Sequence, residues 1–543
     1  MAKRLLIIYT LLILLIPNVA LCFTEGMSTV ASLCNILLPG AFILFILTIS
    51  RRIGVNIWLL FPYFFFSAFQ LVLLKLYGRS IIAVDMFLNL VTTNAGEVTE
   101  LLSNLLPIVG LVFILYLPVL VAGGIMWHRH IEISPSGQKT FRRVATLCLI
   151  AGLFSLGIAV LGDDKHDPKD DIFPLNVCYN VYLAIERTAK TASYHETSGD
   201  FTYGAVPTHP SDSTEIYIAI IGETSRAGNW QLFGYGRPTT PLLSMRDDLF
   251  AGGNTMSESN TTHKSVPMLL SPVSAKDFDK EIYRTKSLVT AFKEAGFKTA
   301  FISNQRYNHS FIDFFAEEAD TTVFIKELGL ETDINLPEDL KLLPVMDSIM
   351  GQGGNKQLIV LHTYGSHFNY RDRYAGTTGT FLPDDYTEAD RDNRDRLINS
   401  YDNTITVTDR LIAGCIERIE TMKGALGGVI YTSDHGEDIF DDGKSNFLHA
   451  SPLPTIHQVH VPFVIWLSPA LKDLMPYDTD TLRKNMARKI SSSASYTPTL
   501  LMMAGIRTAK ADSTKSLLSP DYREEEPVYL NDHNECVPLK GLL

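Results

Sequence analysis

Residues 427–437 read GGVIYTSDHGE, an apolar run that passes directly into a cluster of polar and charged side chains. Four other runs have the same strand-like character: EIYIAIIG from Glu215, FKTAFIS from Phe297, KQLIVLHT from Lys356 and VPFVIWLS from Val461. Helical patterns separate them, such as the long run from Arg396 to Lys423. Apolar strands that alternate with helices predict a mainly parallel sheet covered on both faces. In such sheets, functional groups gather at the carboxyl ends of the strands.

The residues before this α/β region are far more apolar. Five runs there are long enough to cross a hydrocarbon core of ~30 Å, which takes about 20 residues of helix. They lie near Leu5–Cys22, Met27–Ile49, Val55–Leu76, Leu105–Trp127 and Val144–Leu161. The alternative for the first run is a cleaved signal peptide, but four further spans follow it closely. We therefore expect a domain of five transmembrane helices followed by an α/β domain.

Charges between the spans predict the orientation. Cationic links occur at Lys3 and Arg4, at Arg51 and Arg52, and before Val144, and they alternate with links of other character. By the positive-inside rule, the amino terminus is cytoplasmic and everything after the fifth span is extracytoplasmic. The predicted domains are a membrane domain at 1–162, a linker with a bridging helix at 163–213, and the α/β domain at 214–543.

The overall composition excludes several classes of protein. The 543 residues carry a net charge of −12 and contain no Lys/Arg-rich run, which argues against a nucleic-acid partner. The six cysteines are too few for a disulfide scaffold, and no CxxC pair indicates a zinc knuckle or a thioredoxin site.

One polar link between the predicted spans is patterned. The segment FLNLVTTNAGEVTELL, within a helix expected near 84–103, places Asn89, Thr93 and Glu97 on one side at spacings of four residues. Such a stripe at a membrane surface can bind a lipid head group. A solvated helix face explains the same pattern.

The ends of the first and fourth strands of the α/β domain predict a metal site. Glu223 follows the first strand, and Asp434 and His435 follow the fourth. Two carboxylates with one imidazole suit Zn²⁺ or Mn²⁺. The alternative for Asp434 and His435 is a turn with a capping aspartate, which the second acidic cluster at Glu223 makes less attractive.

The segment GGNTMSESNTTHKSVPMLL offers a nucleophile, because hydroxyls crowd the start of an apolar helix. A hydroxyl beside a divalent cation and a helix amino terminus can attack phosphorus. Thr261, Thr262 and Ser265 are all candidates by chemistry, and helix capping is the alternative role.

Several histidines fall at strand ends or in loops of the α/β domain. They are His362, His367, His449, His457 and His460. Imidazoles near a metal can bind phosphate oxygens, hold a second ion or protonate a leaving alkoxide. A structural role explains any one of them equally well.

Taken in order, these residues resemble the phosphoethanolamine transferases of the Gram-negative inner membrane, within the alkaline phosphatase and sulfatase superfamily. The resemblance rests on the motifs GETSRAGNWQLFGYGRPTTPLL, LHTYGSH, SYDNTI and SDHGE, which follow the apolar spans. It implies a periplasmic sulfatase-like domain that takes phosphoethanolamine from phosphatidylethanolamine onto a threonine and passes it to an acceptor, commonly lipid A. It also implies a monomer that binds one zinc ion, with a second ion left open and Mn²⁺ less favoured.

The resemblance also implies roles for particular residues. Because the family's nucleophile lies three residues before an SVP tripeptide, and SVP begins at Ser265, it selects Thr262 over Thr261. The implied zinc ligands are Glu223, Thr262, Asp434 and His435. The implied contacts to phosphate or to a second zinc are His367 and His449, which are also the candidate acids. The implied ethanolamine-binding residues are Asn89, Thr93 and Glu97.

Some positions depart from the family pattern. Two cysteines that usually bracket the nucleophile are replaced near Glu258 and at Met268, so the family's several disulfides cannot all form. These differences leave the acceptor open between lipid A and a glycan.

Four rival functions remain. They are glycerol phosphate transfer of the lipoteichoic acid synthase kind, sulfate ester hydrolysis, a non-enzymatic membrane receptor or scaffold, and transport. The sulfatase signature fails after Ser265, and the predicted spans carry almost no ionisable residues that could line a transport path.

Overall fold

The computed structural model describes residues 2–77, 82–92, 95–162, 166–328, 336–352, 354–443, 446–475 and 478–541, without the side chains of 76–77, 89–92 and 95–105. These residues form two compact units, Met1–Arg187 with Asp442–Asn446, and Thr188–Asp441 with Phe447–Leu543. Each unit has its own hydrophobic core.

The first unit is helical. Its helices are α1 (Ala2–Leu14), α2 (Ile16–Thr24), α3 (Thr29–Leu47), α4 (Ile53–Leu59), α5 (Phe61–Tyr77), α6 (Val84–Thr92), α7 (Ala95–His128), α8 (Pro135–Gly162), α9 (Pro168–Asp171) and α10 (Leu175–Ala192), the last of which extends into the second unit. Among the described residues, four segments are long and apolar enough to cross a membrane: Ala2–Thr24, Thr29–Leu47, Leu106–His128 and Pro135–Gly162. They correspond to the first, second, fourth and fifth predicted spans.

The third predicted span is bent. Ile53–Leu59 and Phe61–Lys75 meet at an angle of 51° and make a fifth span only if the pair is counted as one. Pro62, in the first turn of α5, has no backbone N–H to continue the helical hydrogen bonds across the junction. The apolar pattern alone could not indicate this break.

The segment predicted as one helix near 84–103 is described as helix up to Thr92 in α6 and again from Ala95 in α7, and residues 93–94 lie outside the described residues. Thr93 and the side chains of Asn89 and Glu97 lie outside the described residues. The predicted polar stripe therefore stays a prediction.

The second unit combines helices and strands. Its helices are α11 (Tyr194–Thr197), α12 (Pro241–Ser244), α13 (Thr262–Leu269), α14 (Phe278–Glu281), α15 (Leu288–Glu294), α16 (Phe311–Ala316), α17 (Leu342–Gly351), α18 (Arg394–Glu420), α19 (Ile456–Val459), α20 (Pro469–Leu474), α21 (Thr479–Met486) and α22 (Ser492–Met503). Its strands are β1 (Val206–Pro207), β2 (Glu215–Gly222), β3 (Leu249–Gly252), β4 (Thr255–Met256), β5 (Lys298–Ser303), β6 (Thr321–Phe324), β7 (Lys356–His362), β8 (Leu426–Ser433), β9 (Asp438–Ile439), β10 (Phe447–Leu448), β11 (Phe463–Leu467), β12 (Ile490–Ser491), β13 (Ile506–Arg507), β14 (Val528–Leu530) and β15 (Cys536–Pro538).

Seven strands form the central sheet in the order β3-β11-β8-β2-β7-β5-β6. The five strands from β8 to β6 are parallel, and β11 is antiparallel to both of its neighbours. Each of the five predicted strands is present. Gly222 pairs with Ser433, so β2 and β8 end side by side and the residues that follow them lie together.

Both faces of the sheet are covered, because side chains alternate between them along each strand. On β2, Tyr217, Ala219 and Ile221 enter the core that contains residues of α13, α15 and α22. Ile216, Ile218 and Ile220 enter the core on the other face, which contains residues of α17 and α18. The sheet thus fixes β2 and β8 rigidly at the centre of the unit.

Candidate metal centre and nucleophile

Three side chains at the ends of β2 and β8 converge. Glu223, Asp434 and His435, here called the Glu-Asp-His cluster, each offer a ligand atom within 4.8 Å of the others, and all three residues are buried. His435 Nε2 lies 3.5 Å from Glu223 Oε1 and 3.3 Å from Asp434 Oδ2. The structure therefore brings together the three side chains that the strand ends predicted.

Thr262, the first residue of α13, faces this cluster. Its hydroxyl lies 3.3 Å from both carboxylate oxygens of Glu223 and 3.1 Å from His435 Nε2. The neighbouring Thr261 hydroxyl instead lies 3.1 Å from the Ser259 hydroxyl. Of the two adjacent threonines, the one selected by the family spacing contacts the cluster.

Ser265, the third hydroxyl considered, is fully buried. It donates to the Thr261 carbonyl at 2.9 Å and lies 3.4 Å from Asp434 Oδ2. Its hydroxyl therefore makes a hydrogen bond within the first turn of α13 and also contacts Asp434 of the cluster.

Burial perturbs all three members of the cluster. Burial raises the pKa of Glu223 well above its usual value, and the adjacent Asp434 raises it further. Burial also raises the pKa of Asp434, although the N–H groups of Thr224 and His435 favour its ionised form. Burial lowers the pKa of His435 to about 4, so its imidazole is neutral at pH 7 and can act as a ligand.

The cluster fits a divalent cation. The side chains that bond to Glu223 are all neutral: the hydroxyls of Thr224 and Thr262 and the amide of Gln305. Across the described residues, no Lys or Arg forms an ion pair with Glu223 or Asp434. Two adjacent buried carboxylates are costly without a compensating positive charge. Two carboxylates, an imidazole and a hydroxyl are a donor set suited to zinc.

The backbone around Glu223 is tightly constrained. Thr224 has a φ of +60° and donates its N–H to Asp434 Oδ1, while its carbonyl accepts a hydrogen bond from the Tyr401 hydroxyl. Gly365 has a φ of +53°, and a Cβ there would lie 2.3 Å from the Glu223 carbonyl oxygen. The GET and YGSH motifs therefore meet at a contact that only glycine permits.

His449 and His367 extend the site beyond the cluster. The ring centroid of His449 lies 4.3 Å from that of His435, and the ring centroid of His367 lies 5.9 Å from that of His449. Burial lowers the pKa of both residues well below the usual value. The structure thus places the three imidazoles of His435, His449 and His367 next to one another, and their contact with phosphate stays a prediction.

The other predicted histidines are placed differently. His362, at the end of β7, is buried against Phe301 and lies 3.3 Å from the Ser303 hydroxyl. His460 lies 2.8 Å from the Gly253 carbonyl oxygen. These two positions favour the structural alternative.

Sequence reasoning did not single out two residues of the site. Gln305, two residues after β5, donates to Glu223 Oε2 at 3.1 Å and to the Thr363 carbonyl at 3.0 Å. Glu437 is fully buried, and its Oε2 lies 3.7 Å from His449 Nδ1. Glu437 stands inside SDHGE and could have been included on that motif, whereas no sequence signal pointed to Gln305.

The loop that carries Thr262 is held by hydrogen bonds near the positions where the resemblance led us to expect cysteine. The buried Glu258 carboxylate accepts from the Ala275 N–H and from the Ser491 hydroxyl, each at 2.6 Å. Asn260 donates to Gln458 Oε1 at 2.6 Å and accepts from the Tyr529 hydroxyl at 2.6 Å. These contacts fix the approach to Thr262 from three directions.

A mainly parallel sheet with an acidic and histidine cluster at its strand ends is the arrangement of the alkaline phosphatase and sulfatase superfamily. The sulfatase family model matches residues 215–506, more than half of the chain, and the chain belongs to that family. Similar proteins include phosphoethanolamine transferases, which confirms the resemblance found in the motifs.

Kdo(2)-lipid A phosphoethanolamine 7''-transferase of Escherichia coli strain K12 is 28% identical over 359 residues, which are 65% of this chain and 60% of that protein. The chain thus spans about 60% of the length of this curated relative.

Two solved structures share the fold. The integral membrane lipooligosaccharide phosphoethanolamine transferase A (EptA) of Neisseria meningitidis aligns with a TM-score of 0.74 over 95% of this chain and 97% of that one, at 21% identity. The zinc complex of the C-terminal periplasmic domain of EcEptC from Escherichia coli aligns with a TM-score of 0.54 over 61% of this chain and 94% of that one, at 23% identity. The first match includes the amino-terminal helices.

Proposed function

We propose that this protein transfers phosphoethanolamine from phosphatidylethanolamine to an acceptor of the Gram-negative envelope through a phosphothreonine at Thr262. The observation that carries the proposal is the position of the Thr262 hydroxyl, within 3.3 Å of Glu223 and His435 at the start of α13. The names of the similar proteins support phosphoethanolamine as the transferred group.

Glu223, Asp434, His435 and Thr262 would hold one zinc ion. The zinc complex of the EcEptC domain supports this metal, and the donor set supports it independently. When bound, the ion lowers the pKa of a coordinated hydroxyl and neutralises charge on the phosphoryl group.

The side chains of the chain itself set the geometry of two successive displacements. The Thr262 hydroxyl loses its proton as its oxygen attacks phosphorus, and the bond to the diacylglycerol oxygen breaks, so that diacylglycerol leaves with one proton. The acceptor hydroxyl then displaces Thr262 in the same manner, losing its proton while the Thr262 oxygen regains one. The amino end of α13 directs backbone N–H groups at the phosphoryl oxygens. Two inversions give net retention of configuration at phosphorus.

His367 and His449 pass the proton that the Thr262 hydroxyl loses to the leaving alkoxide. Their low pKa values make both imidazoles neutral before substrate binds. A phosphate oxyanion beside them favours the protonated form, because an opposite charge stabilises the imidazolium. Either ring can then donate to the departing diacylglycerol oxygen.

The apolar helices of the first unit would anchor the chain in the inner membrane. We propose five spans, counting the bent pair α4 and α5 as one, with the amino terminus in the cytoplasm and the α/β unit in the periplasm. We also propose that Asn89, Thr93 and Glu97 bind the ethanolamine head group. The domain boundaries proposed are 1–162, 163–213 and 214–543, in a monomer.

The test is donor cleavage by the purified full-length chain without acceptor. We expect phosphatidylethanolamine to release diacylglycerol and to leave one phosphoethanolamine on a peptide that contains Thr262, detected by mass spectrometry. Phosphatidylglycerol is the matched control donor, since the lipoteichoic acid synthase alternative predicts glycerol phosphate there. A protein labelled from phosphatidylglycerol, or not labelled at all, would refute the proposal.

The acceptor is proposed to be lipid A, with an envelope glycan as the alternative. Mass spectrometry of both fractions, from cells with and without the gene, separates the two. We expect lipid A to gain one phosphoethanolamine only when the gene is present. A gain confined to the glycan fraction would overturn this part.

A further inference from the structure

Two cations lie beside the imidazoles of the site. Lys326 Nζ lies 3.4 Å from the ring centroid of Tyr364, and the Arg373 guanidinium carbon lies 4.0 Å from the same centroid. One carboxylate serves both, because Glu338 Oε2 lies 3.2 Å from Arg373 Nη1 and 3.6 Å from Lys326 Nζ. Lys326 and Arg373 are here called the cation pair.

The cation pair is connected to the proposed reaction centre through aromatic contacts. The ring of Tyr364 lies 5.3 Å from that of His367, which is the outermost of the three imidazoles. The segment that carries both rings is anchored to a cluster residue, since Ser366 donates its N–H to the Glu223 carbonyl at 2.9 Å. The cation pair therefore flanks the side of the site on which His367 lies.

The Lys326 ammonium has unused hydrogen-bonding capacity. Its side chain is 20% exposed, and within the described part of the chain it makes no hydrogen bond of normal length, since its nearest ion-pair contact is the one at 3.6 Å. Arg373 is more enclosed and donates to Glu338 and to the Asn369 carbonyl. An ammonium carries three donors and prefers an oxyanion when water is largely excluded.

The other acidic group nearby is already engaged. Asp339 accepts from the N–H groups of Tyr364 and Gly365 and from the Asn304 amide, each at 2.8 Å. Burial raises the pKa of its carboxyl. Asp339 thus holds the 364–365 turn in place and does not compete for the donors of Lys326.

The charge of the cation pair indicates whether it binds the donor or the acceptor. The donor carries one phosphate, which the proposed reaction places at Thr262, and an ethanolamine ammonium, which the net positive charge of Lys326, Arg373 and Glu338 repels. The remaining substrate is the acceptor. We propose, resting on the function above, that Lys326 binds an oxyanion of the acceptor, a phosphate monoester or a sugar carboxylate, and that Arg373 and Tyr364 position its ammonium.

The test separates acceptor binding from donor cleavage in the full-length protein. Lys326→Gln removes the charge at similar size, Lys326→Arg keeps it, and Lys423→Gln is the matched control at an exposed lysine before β8. The acceptor probes are lipid A with its phosphates, the same lipid without phosphates, and the dephosphorylated lipid extended by an acidic sugar. Diacylglycerol release without acceptor reports the first half of the reaction.

We expect Lys326→Gln to raise the KM for the anionic acceptor by about tenfold or more, because a charge-assisted hydrogen bond is lost. Diacylglycerol release should stay within about twofold of wild type, since that step does not use the acceptor. The KM for the neutral lipid should not change, Lys326→Arg should restore acceptor use, and Lys423→Gln should behave as wild type. The anionic lipid whose KM responds identifies the oxyanion.

Two results would overturn the inference. One is an equal fall in diacylglycerol release and transfer in Lys326→Gln, which would assign Lys326 a structural role. The other is that the wild-type protein transfers phosphoethanolamine equally well to charged and neutral lipids, or transfers it to neither. Absence of diacylglycerol release from the wild-type protein would instead refute the proposed function, so the two failures are distinguishable.

Discussion

A buried carboxylate lies at each end of strand β2: Glu215 begins the strand and Glu223 follows its last residue. The protein neutralises the charge of Glu215 only. Glu215 accepts from Lys356 Nζ at 2.6 Å, and its Oε2 lies 3.0 Å from His209 Nδ1. Although burial raises its pKa, these contacts outweigh burial and leave it below the usual value. Glu223, just past the other end, has neutral hydrogen-bond partners and a pKa well above the usual value.

The comparison of Glu215 with Glu223 shows how a structural carboxylate differs from a candidate metal ligand. Neither side chain is appreciably accessible to solvent, so exposure cannot be the criterion. The criterion is whether the chain supplies its own cation. At Glu215 the chain supplies Lys356, so this carboxylate needs no external cation. At Glu223 a second carboxylate, Asp434, lies close by, and an external cation is required for neutrality.

The largest effect should come from the hydroxyl at the Glu223 end. Thr262→Ala should lower transfer and diacylglycerol release on the order of 10³-fold or more, because the covalent route is lost. Thr261→Ala is the matched control, since that hydroxyl contacts Ser259 rather than the cluster. Circular dichroism should show both variants folded. A Thr262→Ala protein that works at the wild-type rate would disprove the nucleophile assignment.

The next effect is on metal affinity. Asp434→Asn removes a charged ligand and should weaken zinc binding by more than about 100-fold, which exceeds the usual cost of losing an outer contact. Asp409→Asn is the control, because Asp409 is a buried carboxylate that accepts from the N–H groups of Leu242 and Leu243 instead. Zinc titration with a competing chelator measures both. Equal affinities in the two variants would contradict the assignment of Asp434.

A smaller effect should come from the amide that orients Glu223. Gln305→Ala deletes the hydrogen bond to Glu223 Oε2 and should reduce zinc affinity by about tenfold, the lower end for outer contacts. Gln305→Glu should reduce it less if its carboxyl is protonated and donates to Glu223. An unchanged affinity in Gln305→Ala would show that Glu223 is oriented without it.

The smallest effect is expected at the other end of β2. Glu215→Gln should cost about 1–3 kcal/mol of unfolding free energy and leave zinc affinity unchanged, because it weakens charge-assisted hydrogen bonds distant from the cluster. Glu388→Gln, at an exposed glutamate, should change neither. Denaturant titration of each variant measures the cost. A loss of zinc in Glu215→Gln would break the comparison between the two ends.

The same variant has a predicted pH dependence. The folded-state pKa of Glu215 is lowered, so its ionised form stabilises the fold fully above about pH 4.3, the unfolded-state value. This stabilisation is lost as the pH falls through the lowered pKa. Glu215→Gln should therefore show a flatter fall in unfolding free energy in acid than wild type.

The sheet and the cluster could be predicted because their signals are local. Apolar runs fixed β2 and β8, and polar residues at the ends of parallel neighbours must lie together. Gln305 could not be predicted, since its contact with Glu223 depends on how the chain turns after β5. The choice of Thr262 over Thr261 came from family spacing, because both hydroxyls start the same helix. The bend before Pro62 was hidden by an uninterrupted apolar pattern.

Glu223, Asp434, His435 and Thr262 are proposed to surround one metal ion. Crystals of the protein grown with zinc and measured on both sides of the zinc absorption edge test this proposal directly. We predict an anomalous peak about 2.0–2.2 Å from the oxygen and nitrogen atoms of Glu223, Asp434 and His435, with the Thr262 hydroxyl as the fourth neighbour. A fully occupied zinc elsewhere in the α/β unit, with none bound by these four side chains, would contradict this arrangement.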